Sequence, residues 1–75
     1  MARTHSVEIL AEMVANVLSV AVHPGDEVVV GDTVVLLESM KMEIPVIAET
    51  GGRVSAVKVA SGDVVQEGDL LLVLE

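Results

Sequence analysis

Seventy-five residues leave room for one small domain that buries only about 60% of its unfolded surface, so a part in a larger machine is expected before independent catalysis. The composition is 52% hydrophobic without Phe, Trp or Tyr, and a core of Val, Leu, Ile, Met and Ala in which β-branched Val dominates predicts an all-β domain. A formal charge of −8, with only Arg3, Lys41, Arg53 and Lys58 basic, offers no stripe for nucleic acid or an anionic membrane, and the absence of Cys removes disulfides, thiolate metal sites and thiol nucleophiles.

In chain order, residues 13–22 form the first apolar run. It is too short to cross a bilayer, and Glu8 and Glu12 stand where a signal peptide would carry its basic leader. Residues 16–22 (NVLSVAV) alternate as a strand does, with one slip of register, and end in His23-Pro24-Gly25-Asp26. In such a turn Gly supplies a positive φ and Asp bonds its own backbone. A short apolar piece and a second turn at Gly31-Asp32 lead into the run 33–37. The polar break Glu38-Ser39-Met40-Lys41-Met42-Glu43, of hairpin-turn length, separates that run from 44–48, where Pro45 marks an edge strand. Thr50-Gly51-Gly52 then makes an extended corner before residues 53–59 (RVSAVKV), which alternate with the same slip. Gly62-Asp63 and Gly68-Asp69 repeat the turns, and an apolar run reaches Glu75.

These segments are two copies of one pattern. Residues 11–38 laid over 48–75, an offset of 37, are identical at twelve of 28 positions, including Gly25/Gly62, Asp26/Asp63, Gly31/Gly68 and Asp32/Asp69. The slip shared by both alternating runs predicts a β-bulge in each. Each half should supply about four short strands, and neither can cover its own apolar face, so the halves must close on each other. Two small antiparallel sheets packed face to face, related by a pseudo-two-fold axis, satisfy this within one domain spanning 1–75. Lys41 moved by 37 falls on Thr4 or just past Glu75, so both chain ends are expected at the pole opposite Lys41. Because the acidic pairs repeat with the fold, turn chemistry explains them better than paired-carboxylate catalysis. His5 and His23 stand apart from any ligand cluster, so no metal site is expected.

Lys41 is the only Lys in the first two-thirds of the chain, set between Met40 and Met42 where Asn-Gly or Asp-Gly would be ordinary. A lysine on a hairpin tip is most simply a solvated side chain. Its ε-amine is also well suited to stable amide linkage, and its four-carbon stem extends reach. The run Glu38-Ser39-Met40-Lys41-Met42 resembles the biotinyl attachment motif of biotin carboxyl carrier proteins. So do the paired Val-x-x-Gly-Asp-x-Val-x-x-Gly-Asp pattern from Val22 to Asp32, the segment 51–59 and the central place of the Lys; residues 42–46 look like the small stand-alone biotin/lipoyl attachment proteins. The chain departs from the family in carrying Glu12-Met13-Val14-Ala15 where members commonly have Pro-Met-x-Gly. Its equal halves also leave out the protruding loop that some acetyl-CoA carboxylase carriers insert.

The resemblance implies a flattened β-barrel, or barrel-sandwich hybrid, of two four-stranded antiparallel sheets. It implies biotin joined by an amide to Lys41 by biotin protein ligase, and a carboxyl group shuttled between the biotin carboxylase and carboxyltransferase of an acyl-CoA carboxylase. Such a carrier is no enzyme itself and works in the cytoplasm as a monomer when alone, with neither nucleic acid nor membrane as partner. Met40 and Met42 are either ligase-recognition residues or adaptable covers for the end of the core. Glu38 and Ser39 are candidates for orienting the turn, although the pairing of Glu38 with Glu75 in the repeat suggests a strand end. Two rival readings stand beside this one. A lipoyl carrier of a 2-oxo acid dehydrogenase or glycine cleavage system would usually place Asp before the Lys and Ala after it. An unmodified interaction module would not need a Met-Lys-Met tip.

Overall fold

The computed structural model describes residues 6–75; Arg3, Thr4 and His5 lie outside the described residues. Eight strands follow one another: β1 Val7–Leu10, β2 Ala15–Val20, β3 Glu27–Val28, β4 Thr33–Ser39, β5 Met42–Ile47, β6 Gly52–Val57, β7 Val64–Val65 and β8 Leu70–Leu74. They build two four-stranded sheets, ordered β1-β8-β6-β3 and β5-β4-β2-β7, with every pairing antiparallel. The offset of 37 maps β1–β4 onto β5–β8, so the repeat extends back to Val7 and Ile44, beyond the stretch where side-chain identities reveal it. Each sheet draws two strands from each half, so the halves are intertwined rather than stacked one against the other.

The expected bulges are present. In β2 the register against β4 shifts between Val17 and Ser19, and in β6 the register against β8 shifts between Val54 and Ala56. Leu18 and Ser55 are the extra residues, at equivalent positions of the two halves. The corner before β2 needs no glycine: Ala15 is buried, and neither it nor Val14 has a positive φ.

The four Gly-Asp turns share one construction. Asp26, Asp32, Asp63 and Asp69 each accept, through Oδ2, the backbone N–H three residues earlier, at 2.8 to 3.0 Å. Each turn also bonds across to the opposite half. Gly25 N–H donates to Val54 O and Val54 N–H to the Asp26 carbonyl, at 2.8 and 2.9 Å. The same exchange joins Gly31-Asp32 to Ala48, Gly62-Asp63 to Val17, and Gly68-Asp69 to Ala11. The residues clasped in this way, Ala11, Val17, Ala48 and Val54, are all buried.

The core repeats the symmetry. Its members include Ala11 with Ala48, Val17 with Val54, Val28 with Val65, Val34 with Leu71, Val35 with Leu72 and Leu37 with Leu74; Ala15 is matched by Gly52. Branched aliphatic side chains interdigitate in so thin a sandwich without an aromatic ring, which is why a chain lacking Phe, Trp and Tyr closes this fold.

The polar break proves shorter than its length in sequence suggests. Glu38 pairs with Glu43 and Ser39 with Met42, so β4 and β5 continue past the core and the turn is Met40-Lys41 alone. Backbone ladder bonds do not require apolar side chains, which is how polar residues extend a strand into solvent. Met40 has φ 54° and Lys41 φ 66°. Positive φ at both central residues is the type I′ arrangement that suits the twist of a two-residue hairpin, and it normally selects Asn-Gly. From the tip, β5 carries the chain about 20 Å away at roughly 3.3 Å per residue. There β6 begins, with Arg53 and Glu75 exchanging backbone bonds of 2.8 and 2.7 Å and Val7 paired with Leu74. Glu75 and the start of β1 thus lie at the end away from Lys41.

Two stability measurements follow. Gly62 has φ +96° and nothing within 4 Å of the place a Cβ would occupy. Gly62→Ala should therefore lower unfolding stability through the backbone alone, by about 1–2 kcal/mol in urea denaturation. Replacing Met40-Lys41 by Asn-Gly should raise stability by a comparable amount, about 1–2 kcal/mol, and an unchanged denaturation midpoint would show that the tip is unstrained.

Candidate functional site

The β4–β5 hairpin presents six consecutive residues that sequence reasoning singled out. Glu38 and Ser39 end β4 and are half-buried, Met40 and Lys41 form the turn, and Met42 and Glu43 open β5 exposed to solvent. Met40 is 91% exposed and Met42 61% exposed. Neither methionine packs against the core. Both are large apolar side chains left in water, and Met40 also holds a left-handed backbone conformation.

Electrostatics at the tip are one-sided. Glu38 and Glu43 stand directly opposite each other on the hairpin, an arrangement that slightly destabilises a sheet. Among the described residues Arg53 is the one Lys or Arg within ion-pair distance of a carboxylate, that of Glu27, and Lys41 makes no such contact. His23 is an exposed turn residue, its Nδ1 3.8 Å from Asp26.

Three exposed neighbours of the tip come from elsewhere in the chain, beside the buried Ala15. A shallow open depression beside Lys41 is bordered by Val14 from the corner before β2, by Asn16 of β2 and by Val64 of β7, as well as by Glu38 and Ser39. All three lie more than twenty residues from Lys41 in sequence, so no local pattern links them to it. The signal was present in the repeat, where Val14 stands opposite Gly51 and Val64 opposite Glu27.

What the hairpin can do chemically is limited and specific. The turn bears one primary amine on a flexible stem, displayed on a rigid ladder at the pole away from the chain's described ends. That geometry suits covalent attachment of a carboxylic acid cofactor through an amide.

Known proteins agree with this shape. Over 40 residues the chain is 65% identical to the "Biotinylated protein TB7.3 homolog" of Mycolicibacterium smegmatis, a match covering 53% of this chain and 56% of that protein. The chain thus spans about half the length of the curated relatives it matches. Among solved structures it superimposes on a single-chain, multi-domain long-chain acyl-CoA carboxylase with a TM-score of 0.86 and 32% identity, covering 97% of this chain and 8% of that one. The urea carboxylase of Kluyveromyces lactis gives a TM-score of 0.88 and 29% identity, covering 100% and 7%. The lipoyl domain of the 2-oxoglutarate dehydrogenase complex of Azotobacter vinelandii gives 0.79 and 27% identity, covering 92% and 95%. The model of the biotin/lipoyl family, described as "Biotin-requiring enzyme", matches residues 7–74, and the chain belongs to that family.

Proposed function

We propose that the chain is a biotin carrier whose Lys41 Nζ forms the amide with the carboxyl group of biotin, and that it serves a biotin-dependent carboxylase. The observation that carries this reading is the Met40-Lys41 turn: two side chains kept, exposed, at backbone positions where Asn-Gly would be less strained. A merely solvated lysine gives no reason for that cost.

Each residue of the hairpin has a part in this reading. The β4–β5 ladder holds the turn stiffly, so the amine is presented to a ligase at little cost in loop ordering. Met40 and Met42 supply apolar, adaptable contact on either side of it. When attached, biotin supplies a ureido nitrogen able to take up a carboxyl group at one active site and release it at another. The chain itself contributes tethering, which raises the local concentration of the reactive ring at both sites, and a barrel small enough to move between them. The partners are then a biotin ligase, a biotin carboxylase and a carboxyltransferase; the carboxylases among the similar structures include one named for a long-chain acyl-CoA and one for urea. Biotin is favoured over lipoate by the Met-Lys-Met tip and by a relative named as biotinylated, whereas the likeness to a lipoyl domain is accounted for by the shared fold.

Intact mass spectrometry after co-expression with biotin ligase tests the assignment. A single biotinyl adduct is expected on the wild-type chain and none on Lys41→Arg, which keeps the positive charge. An unmodified wild-type chain, an adduct surviving in Lys41→Arg, or modification by lipoate ligase instead would each refute it.

A further inference from the structure

The internal repeat supplies a control within one molecule: each position near the tip has a counterpart in the same backbone setting at the other pole. Val64 of β7 pairs across the sheet with Asn16 of β2. Their counterparts, Glu27 of β3 and Arg53 of β6, pair in the same register and form an ion pair of 3.6 Å. Val14, at the corner before β2, corresponds to Gly51. The fold therefore accepts a glycine and an ion pair at these places. Beside Lys41 it carries instead two valines that are 63% and 66% exposed, and a neutral amide.

Neither valine fills the core, and both border the depression that Lys41 itself lines. Polar groups border it too. Glu38 offers a carboxylate and Asn16 an amide, and among the described residues neither side chain takes part in a hydrogen bond. Apolar ground beside one acceptor and one amide donor matches the chemistry of a biotinyl group, which has an alkyl chain ending in a ring with two urea N–H groups and one urea carbonyl.

We propose that Val14, Val64, Asn16 and Glu38 form a resting shelf for the biotinyl arm, an inference that rests on attachment at Lys41. Val14 and Val64 offer apolar contact to the alkyl chain, the Glu38 carboxylate accepts a urea N–H, and the Asn16 amide donates to the urea carbonyl. Because the arm is tethered at the edge of the shelf, weak contacts suffice to populate the docked state. The shelf is open and shallow, so a partner active site that envelops the ring removes it readily. Its effect is to shelter the ring between visits and to lower the apparent affinity of any binder by the fraction of arms exposed.

The test uses the biotinylated full chain, with loading verified by intact mass. Amide chemical shifts of loaded and unloaded protein should differ at Val14, Asn16 and Val64 as well as at the turn. In the double variant N16R/V64E, which transplants the Glu27–Arg53 ion pair to the tip pole, and in Val14→Gly, the distant shifts should vanish. Avidin, which encloses the whole ring, should capture the loaded double variant about fivefold faster than loaded wild type. Fully loaded wild-type protein whose shifts are confined to residues 39–42, or equal capture rates, would overturn the shelf while leaving attachment intact. Absence of the adduct would instead overturn attachment, and the shelf with it. Should either variant fail to fold, the wild-type shifts decide alone.

Discussion

Everything in this domain depends on how four glycine-aspartate turns grip the opposite half of the chain. Each turn presents a glycine N–H and an aspartate carbonyl to one buried residue, Ala11, Val17, Ala48 or Val54, which both accepts and donates. Those backbone groups lie in the apolar interior, where an unpaired N–H or carbonyl costs on the order of 1–3 kcal/mol. The turns therefore satisfy the core's own polar groups while joining half to half. The aspartate carboxylates brace the same turns from outside through the N–H three residues back. A turn lost in one half unpairs backbone in the other, so the two halves are expected to fold as one unit.

That clasp explains why so small a chain can leave side chains to function. With the halves intertwined and the core confined to paired Val, Leu and Ala residues, the outer ends of β4 and β5 are not needed for burial. The hairpin can project beyond the core, hold two non-glycine residues in left-handed conformations and put two opposed glutamates beside them, while the clasp stabilises the rest. Local cost is concentrated at the one connection that the symmetry does not duplicate, since the counterpart of the tip is the pair of chain ends.

The same symmetry separates structural from functional requirements. Where both halves carry the same residue, as at the glycines and aspartates of the turns, the fold suffices as the reason. Where they differ at an exposed position close to Lys41, the fold has been satisfied in another way at the other pole, and the difference calls for a reason of its own. Val14 against Gly51 and Val64 against Glu27 are differences of this kind. The depression between β1 and β5 is lined by Ile9 and its counterpart Val46, a branched aliphatic residue in both halves.

Much of the architecture was legible in the amino-acid order because turn chemistry and periodicity are local properties. Glycine and aspartate at four matched places, alternation with a common slip, and an offset of 37 sufficed to specify strands, bulges, pseudo-symmetry and the polar location of Lys41. The Met-Lys-Met run marked Lys41 as the candidate attachment point, since an amine flanked by two methionines at a hairpin turn is chemically unusual. Tertiary structure alone decided the rest. Which strands exchange between halves depends on pairings between residues far apart in sequence, and no local pattern encodes them. The true length of the turn rested on Glu38 and Ser39 finding partners in Glu43 and Met42 despite their polarity, which backbone hydrogen bonding permits and hydropathy conceals. That neither methionine covers the core, and that Val14, Asn16 and Val64 gather beside Lys41, follow from the strand order β4-β2-β7, which brings distant segments to one pole of the barrel.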